Sequence, residues 1–142
     1  MLLWYIWGMN RSPHAPNIII LIFGDLVTII IVALIGFAEH ENLAGSGTRP
    51  LAVVLSWFAA WALIGIHVGV FNLSYAGDGR QLWRPFWGMV LASPLGALLR
   101  GLWLQANVIP FFVVVFGGFC AIGILAWRLL FWWVIRRRTG DG

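Results

Sequence analysis

The sequence is short of charge and has almost no cysteine. Charged residues make up 10% of its 142 residues, whereas apolar residues make up 61%. A soluble domain carries roughly 25% charged residues, so this chain cannot build a water-soluble surface, and a membrane is its solvent. The single cysteine, Cys120, excludes an internal disulfide and a paired-cysteine redox or zinc site. All nine basic residues are arginine, and the modest net charge of +4 suits membrane topology better than nucleic-acid binding.

Catalytic patterns are also missing. The sequence contains no glycine-rich phosphate loop and no HExxH pair, and it has no Ser, His and Asp at positions that would face one another. It offers no recognisable set of metal ligands either. We therefore expect a protein that is not an enzyme.

Four apolar stretches are each long enough to cross a bilayer, which requires about 20 mostly apolar residues. They cover residues 17–37, 51–71, 86–103 and 108–134. Each has a proline at or near its start, where the missing N–H has no helical partner to lose; these are Pro16, Pro50, Pro85 and Pro110. The sequence therefore predicts an all-α, integral membrane four-helix bundle over residues 17–135.

The two ends of the chain differ from this core. Residues 1–16 are predicted to form an interfacial segment with Trp4, Tyr5 and Trp7 at headgroup level. They lack the basic start and cleavage site of a signal peptide, and Met9 is an alternative natural start. Residues 136–142 form a basic C-terminal tail, which is suited to anionic lipid.

The arginines predict how the chain is threaded. With four spans, both termini and the second loop share one side of the membrane. That side carries Arg11, Arg80, Arg84 and Arg136 to Arg138, with Arg128 close by, whereas the other side carries Arg49 and Arg100. Because positive residues stay cytoplasmic, we expect both termini inside and the protein in the inner (plasma) membrane.

Small residues recur at helical spacing within the predicted spans. Because lipid gives no hydrophobic drive for association, helices approach closely where such residues face one another. The expected contact stripes are Ala52, Ser56, Ala60, Gly65 and Gly69 in the second helix, Gly88, Ala92 and Gly96 in the third, and Gly117 and Ala121 in the fourth.

Asp25 stands in the apolar run "LIFGDLVTII" and needs a partner. The first helix is centred near Thr28, so Asp25 lies about 5 Å to the cytoplasmic side, and Arg128 of the fourth helix lies roughly 11 Å to the same side. Side chains lean toward the N-terminus of their own helix, so these two lean toward each other. Because an unpaired charge at such depth costs about 3 kcal/mol or more, we predict an intramembrane ion pair.

A second polar cluster is predicted at the opposite end of the bundle. Glu39 and His40 end the first helix there, and Arg100 ends the third. This cluster lies nearer water, so its interactions are expected to be weaker.

Three residues of the second helix are candidates for contact with a ligand. His67 is expected to be a hydrogen-bonded packing residue, but a histidine can also ligate a pigment or haem, and Gly65 and Gly69 would leave room for a flat ring. Trp57 and Trp61 lie one turn apart on one face. They are expected to fill the core, with a pocket wall for a lipid, quinone or pigment as the alternative.

An ordered set of residues resembles a known family. The set comprises Gly24, Asp25, Gly36, His40, Trp57, Trp87, Pro94, Leu95, Gly96, Arg100, Pro110, Trp127 and Arg128. Its order and spacing are similar to the small prokaryotic membrane family called domain of unknown function 3054, over about residues 20 to 130. The resemblance implies a four-helix membrane protein and brings no established activity. The chain departs from the pattern at "FAEH", where a basic residue is expected, and His67 is outside the pattern.

Three functions remain open at this point. The first is a structural or accessory subunit of a membrane assembly, with lipids, other membrane subunits or further copies of the chain as partners. The second is a small transporter or ion-conducting protein that uses Asp25 and Arg128 as its polar centre. The third is a pigment- or quinone-binding subunit that uses His67 and the tryptophans.

Overall fold

The computed structural model describes residues 17–40 and 47–140, and it leaves out the side chains of residues 39, 40 and 138–140. This part of the chain contains four long helices and no strand. The helices are α1 (Ile18–His40), α2 (Arg49–Val68), α3 (Trp83–Leu104) and α4 (Pro110–Gly140). All four are long and apolar enough to cross a membrane, which confirms the predicted fold class. The interfacial segment predicted for residues 1–16 lies outside the described residues.

Helix α2 ends earlier than the sequence predicted. Gly69 has a φ of 76°, a left-handed conformation that suits glycine and stops the helix. The N–H groups of Gly69 and Val70 then turn back to the carbonyls of Ile66 and Gly65, as in a Schellman cap. The predicted end at residue 71 is therefore wrong, and Gly69 is the cap of α2 and not part of its contact stripe.

Helix α4 is longer than predicted. Its last turns contain neither proline nor glycine before residue 140, so nothing in the sequence stops the helix at residue 134. The helix continues to Gly140, and the first part of the predicted basic tail is therefore helical.

Short turns connect the helices at both ends of the bundle. Between α2 and α3, a helical turn (Leu73–Ala76) and a 3-10 turn (Gly79–Gln81) begin with side-chain caps from Asn72 and Asp78. Between α3 and α4, Gln105 adopts a left-handed conformation with a φ of 51°. The short connection makes α3 and α4 antiparallel neighbours, as predicted.

The bundle is packed through the predicted small residues. A Cβ on Gly96 would lie 2.9 Å from the Trp57 ring, and one on Gly88 would lie 3.0 Å from the Trp61 ring. Because both tryptophans are fully buried, the glycines are the gaps in α3 into which the large rings of α2 fit. Phe112 and Phe116 of α4 complete this core, since each meets the Trp57 ring edge-on.

Candidate functional site: a buried aspartate–arginine pair

Asp25 lies on the inward face of α1. Leu21, Asp25, Ile29 and Ala33 follow one another at intervals of four residues, which places them on one side of a helix. All four are buried, and Asp25 is 0% exposed. The periodicity that buries the apolar residues therefore carries the carboxylate into the core with them.

Arg128 reaches the carboxylate from α4. Its Nε donates to Asp25 Oδ1 at 3.0 Å, and its Nη2 donates to Oδ2 at 2.5 Å. Two parallel bonds of this kind fix the angle between the groups as well as their distance. Arg128 is 4% exposed, so both charges are shielded from the surroundings of the bundle. The structure thus brings together the two residues that the depth argument paired.

Two further groups complete the site. Trp61 Nε1 donates to Asp25 Oδ2 at 3.2 Å, which joins α2 to the pair. Arg128 Nη1 donates to the carbonyl of Val70 at 3.3 Å, just after the cap of α2. Buried charges are tolerated when they are paired and hydrogen-bonded, and these contacts give each Asp25 oxygen and each Arg128 side-chain nitrogen at least one partner.

A close approach between α1 and α4 positions the pair. Gly24 precedes Asp25, and Trp127 precedes Arg128. The Trp127 indole lies in the space that a Cβ on Gly24 would occupy. The absence of a side chain at residue 24 therefore lets the two helices come near enough for a direct ion pair.

A second arginine binds the same end of α2. Arg84 Nη1 donates to the Val68 carbonyl at 2.7 Å, and its Nε donates to Gln81 at 2.7 Å. The last carbonyls of a helix lack intrahelical partners and form the negative end of its dipole. Arg84 donates to the carbonyl of Val68, the last residue of α2, and so stabilises that end of the helix, whereas Arg128 donates to Val70, just beyond the Gly69 cap.

A small pocket reaches this end of α2. Its lining includes Tyr75, Gln81, Arg84 and Arg128. Its volume of about 10 Å³ is enough for about one water molecule. The pocket is therefore a narrow recess beside Arg128 and not a chamber for a larger molecule.

The other predicted polar cluster is described only in part. The side chains of Glu39 and His40 lie outside the described residues. The Arg100 guanidinium lies 5.2 Å from the ring centre of Phe112. An interaction of these three residues stays a prediction.

His67 lies on the outer face of α2. Its side chain is exposed, and its Nδ1 lies 2.8 Å from the carbonyl of Leu63, one turn earlier. The space beside Gly65 is taken by the Phe71 ring, which would lie 2.7 Å from an added Cβ. The room that the sequence suggested for a flat ring is therefore filled at Gly65 by the chain itself.

Sequence reasoning missed three groups of this site: Trp61 as a donor to Asp25, Val70 as an acceptor from Arg128, and Arg84 as a donor to the last carbonyl of α2. The contact of Arg84 had a signal in Gly69, since a glycine after an apolar run marks a helix end whose carbonyls need donors. For Trp61 there was none, because the rotation of α2 relative to α1 cannot be read from the spacing of residues within α2.

The comparisons with known proteins agree with the earlier resemblance. No curated protein and no solved structure matches the sequence. A family model described as "Protein of unknown function (DUF3054)" matches residues 22–131. The matched region begins in α1 and ends in α4, so it includes Asp25, Trp61 and Arg128. The chain therefore belongs to the DUF3054 family.

Proposed function

We propose that the protein is a structural or accessory subunit of a membrane assembly, and that the Asp25–Arg128 pair fastens α1 to α4. The observation that carries this proposal is that the two charges are paired with each other and hydrogen-bonded within the chain itself. Both Asp25 oxygens and all three Arg128 nitrogens take part in internal hydrogen bonds. A substrate would have to displace these bonds before it could bind the pair.

The packing of the interior supports the same conclusion. Trp57 and Trp61 are 0% exposed and fill the space between α2, α3 and α4.

The outer surface also offers places where another helix could approach. An added Cβ on Gly36 of α1 or on Gly118 of α4 would meet nothing within 4 Å, and glycine at a helix surface permits close contact in lipid.

The assembly is tested by extracting the protein from its membrane with a surrounding disc of lipid and weighing the particle by native mass spectrometry. We expect a defined particle with a protein mass above the 15.9 kDa of one chain. A multiple of that mass indicates a homo-oligomer, and any other defined mass indicates a second subunit. A single chain at every protein concentration would contradict the proposal.

The proposed setting is the inner (plasma) membrane with both termini in the cytoplasm. Its support is the distribution of arginine: Arg80, Arg84, Arg136 and Arg137 lie at the end of the bundle where α4 ends, and Arg49 and Arg100 lie at the other. A reporter active only in the cytoplasm should give signal when fused to the C-terminus. If only an exported reporter gives signal at the C-terminus, the orientation is the opposite of the one proposed.

A small transporter or ion-conducting protein is the second candidate. The observation in its favour is the recess beside Arg128, which places a water-sized space next to the buried pair. Vesicles containing the purified protein should then carry protons or small ions faster than vesicles containing the Asp25→Asn/Arg128→Gln double variant. Equal flux in the two preparations would favour the structural role.

A further inference from the structure

The last described turns of α4 contain two aromatic–basic pairs side by side. The Arg136 guanidinium lies 5.2 Å from the ring centre of Trp132, and the Arg137 guanidinium lies 3.7 Å from that of Trp133. Each arginine follows its tryptophan by four residues, which is about one helical turn. These four residues line an open cleft of about 300 Å³, which we call the Trp–Arg cleft.

Contact with a ring restricts where an arginine side chain can lie. A guanidinium over an aromatic face keeps its planar fork of N–H groups available as hydrogen-bond donors. That planar fork matches the oxygens of a phosphate. Because the rings already restrict the arginine side chains, less conformational entropy is lost when an anion binds. The Trp–Arg cleft therefore holds two exposed arginine side chains against aromatic rings before a ligand arrives.

The position of the cleft identifies the class of ligand. It lies at the end of the apolar span Pro110–Arg137, where tryptophan and arginine meet lipid headgroups. The loop before α3 supports it from the side, since a Cβ on Gly79 would lie 2.9 Å from the Trp132 ring. The carboxylate of that loop, Asp78, accepts the backbone N–H of Arg80. Four arginines at this end, Arg80, Arg84, Arg136 and Arg137, outnumber that carboxylate, so the surface is basic where the span is expected to meet the headgroups.

We propose that the Trp–Arg cleft binds the phosphate headgroup of an anionic phospholipid. This inference does not depend on the proposed function, because a subunit and a transporter would both have α4 in the membrane. Basic segments are attracted to anionic membranes in general. This inference differs because it assigns the selectivity for an anionic lipid to the Trp132–Arg136 and Trp133–Arg137 pairs and not to the sum of the surface charge.

The test uses the full chain and two lipids with identical acyl chains, phosphatidylglycerol and the zwitterionic phosphatidylcholine. The purified protein is mixed with equal amounts of both, and native mass spectrometry measures which lipid remains bound. We expect a preference for phosphatidylglycerol that falls about tenfold or more in Arg137→Gln, because this variant loses charge-assisted hydrogen bonds to the headgroup as well as a surface charge. Arg80→Gln is the matched control, since it removes the same charge from an exposed residue at the same end.

Two further variants separate stacking from charge. Trp133→Leu keeps both arginines but removes the ring beneath Arg137, so the preference should fall although the net charge is unchanged. Arg137→Lys keeps the charge but lacks the planar guanidinium. Its preference for phosphatidylglycerol should lie between that of the parent protein and that of Arg137→Gln. Equal retention of the two lipids by the parent protein would overturn the proposal. An equal effect of Arg80→Gln and Arg137→Gln, or no effect of Trp133→Leu, would overturn it as well.

Discussion

The Asp25 carboxylate and the Arg128 guanidinium, 103 positions apart in the sequence, share two hydrogen bonds inside the bundle. Each group neutralises the charge of the other in an interior that is shielded from water. The two parallel hydrogen bonds also join the first helix to the last. Trp61 adds a donor from α2. Several measurable consequences follow from this arrangement and from the packing around it.

Removing one member of the pair should be worse than removing both. Asp25→Asn leaves Arg128 as a buried cation without its counter-ion. Arg128→Gln leaves Asp25 as a buried anion without its counter-ion. Breaking a buried pair in this way costs roughly 3–5 kcal/mol. We expect each single variant to lower the yield of monodisperse protein and its thermal midpoint, and the double variant to recover part of the loss. Harmless single changes would show that the pair does not hold the bundle together.

The hydrogen bond from Trp61 should be separable from the bulk of its ring. Trp61→Phe keeps an aromatic ring but removes a donor to a charged group, a bond that contributes about 1.5–3 kcal/mol. Trp57→Phe is the control, because Trp57 is equally buried and its Nε1 has no hydrogen-bond partner among the described residues. Thermal unfolding followed by near-UV circular dichroism should place Trp61→Phe below Trp57→Phe. The reverse order would assign the role of Trp61 to packing alone.

Two glycines of α1 should respond oppositely to the same substitution. In Gly24→Ala, the new methyl group would overlap the Trp127 indole, so α1 and α4 must move apart at the ion pair. In Gly36→Ala, the methyl group meets nothing within 4 Å, and alanine favours a helix over glycine by about 1 kcal/mol. Measured on the single chain in detergent, where no second helix covers Gly36, the thermal midpoint should fall in the first variant and stay level or rise in the second. A similar response of both would mean that the contact at Gly24 is loose.

His67→Leu tests whether the outer face of α2 carries a pigment or haem. Because His67 is exposed and its Nδ1 contacts the Leu63 carbonyl, we expect the substitution to leave the absorption spectrum of the gently solubilised protein unchanged. Loss of a visible absorption band in the variant would establish His67 as a ligand and favour the pigment-binding function.

The sequence predicted the parts of this structure that depend on the length of a helix or on the depth of a residue within it. Apolar length located the four helices, and residue depth was enough to pair Asp25 with Arg128. It could not locate Trp61 beside Asp25, because that contact depends on how α2 is rotated against α1. It also placed Gly69 inside α2, since the apolar run continues to Phe71, whereas backbone conformation ends the helix at Val68. Contacts that depend on the rotation of one helix against another, and the conformation of single glycines, could therefore not be predicted from the sequence.

The order of the ion-pair partners along the chain has a consequence for biosynthesis. A ribosome adds about 5–20 residues per second, so roughly 5–20 s pass between the synthesis of Asp25 and that of Arg128, 103 positions later. During that interval α1 enters the bilayer with an unmatched carboxylate, and it is the most apolar of the four spans. Its leucine and isoleucine content favours insertion despite the carboxylate. The pair cannot form before Arg128 has been synthesised, so the first helix has no ionic partner until the last one is made.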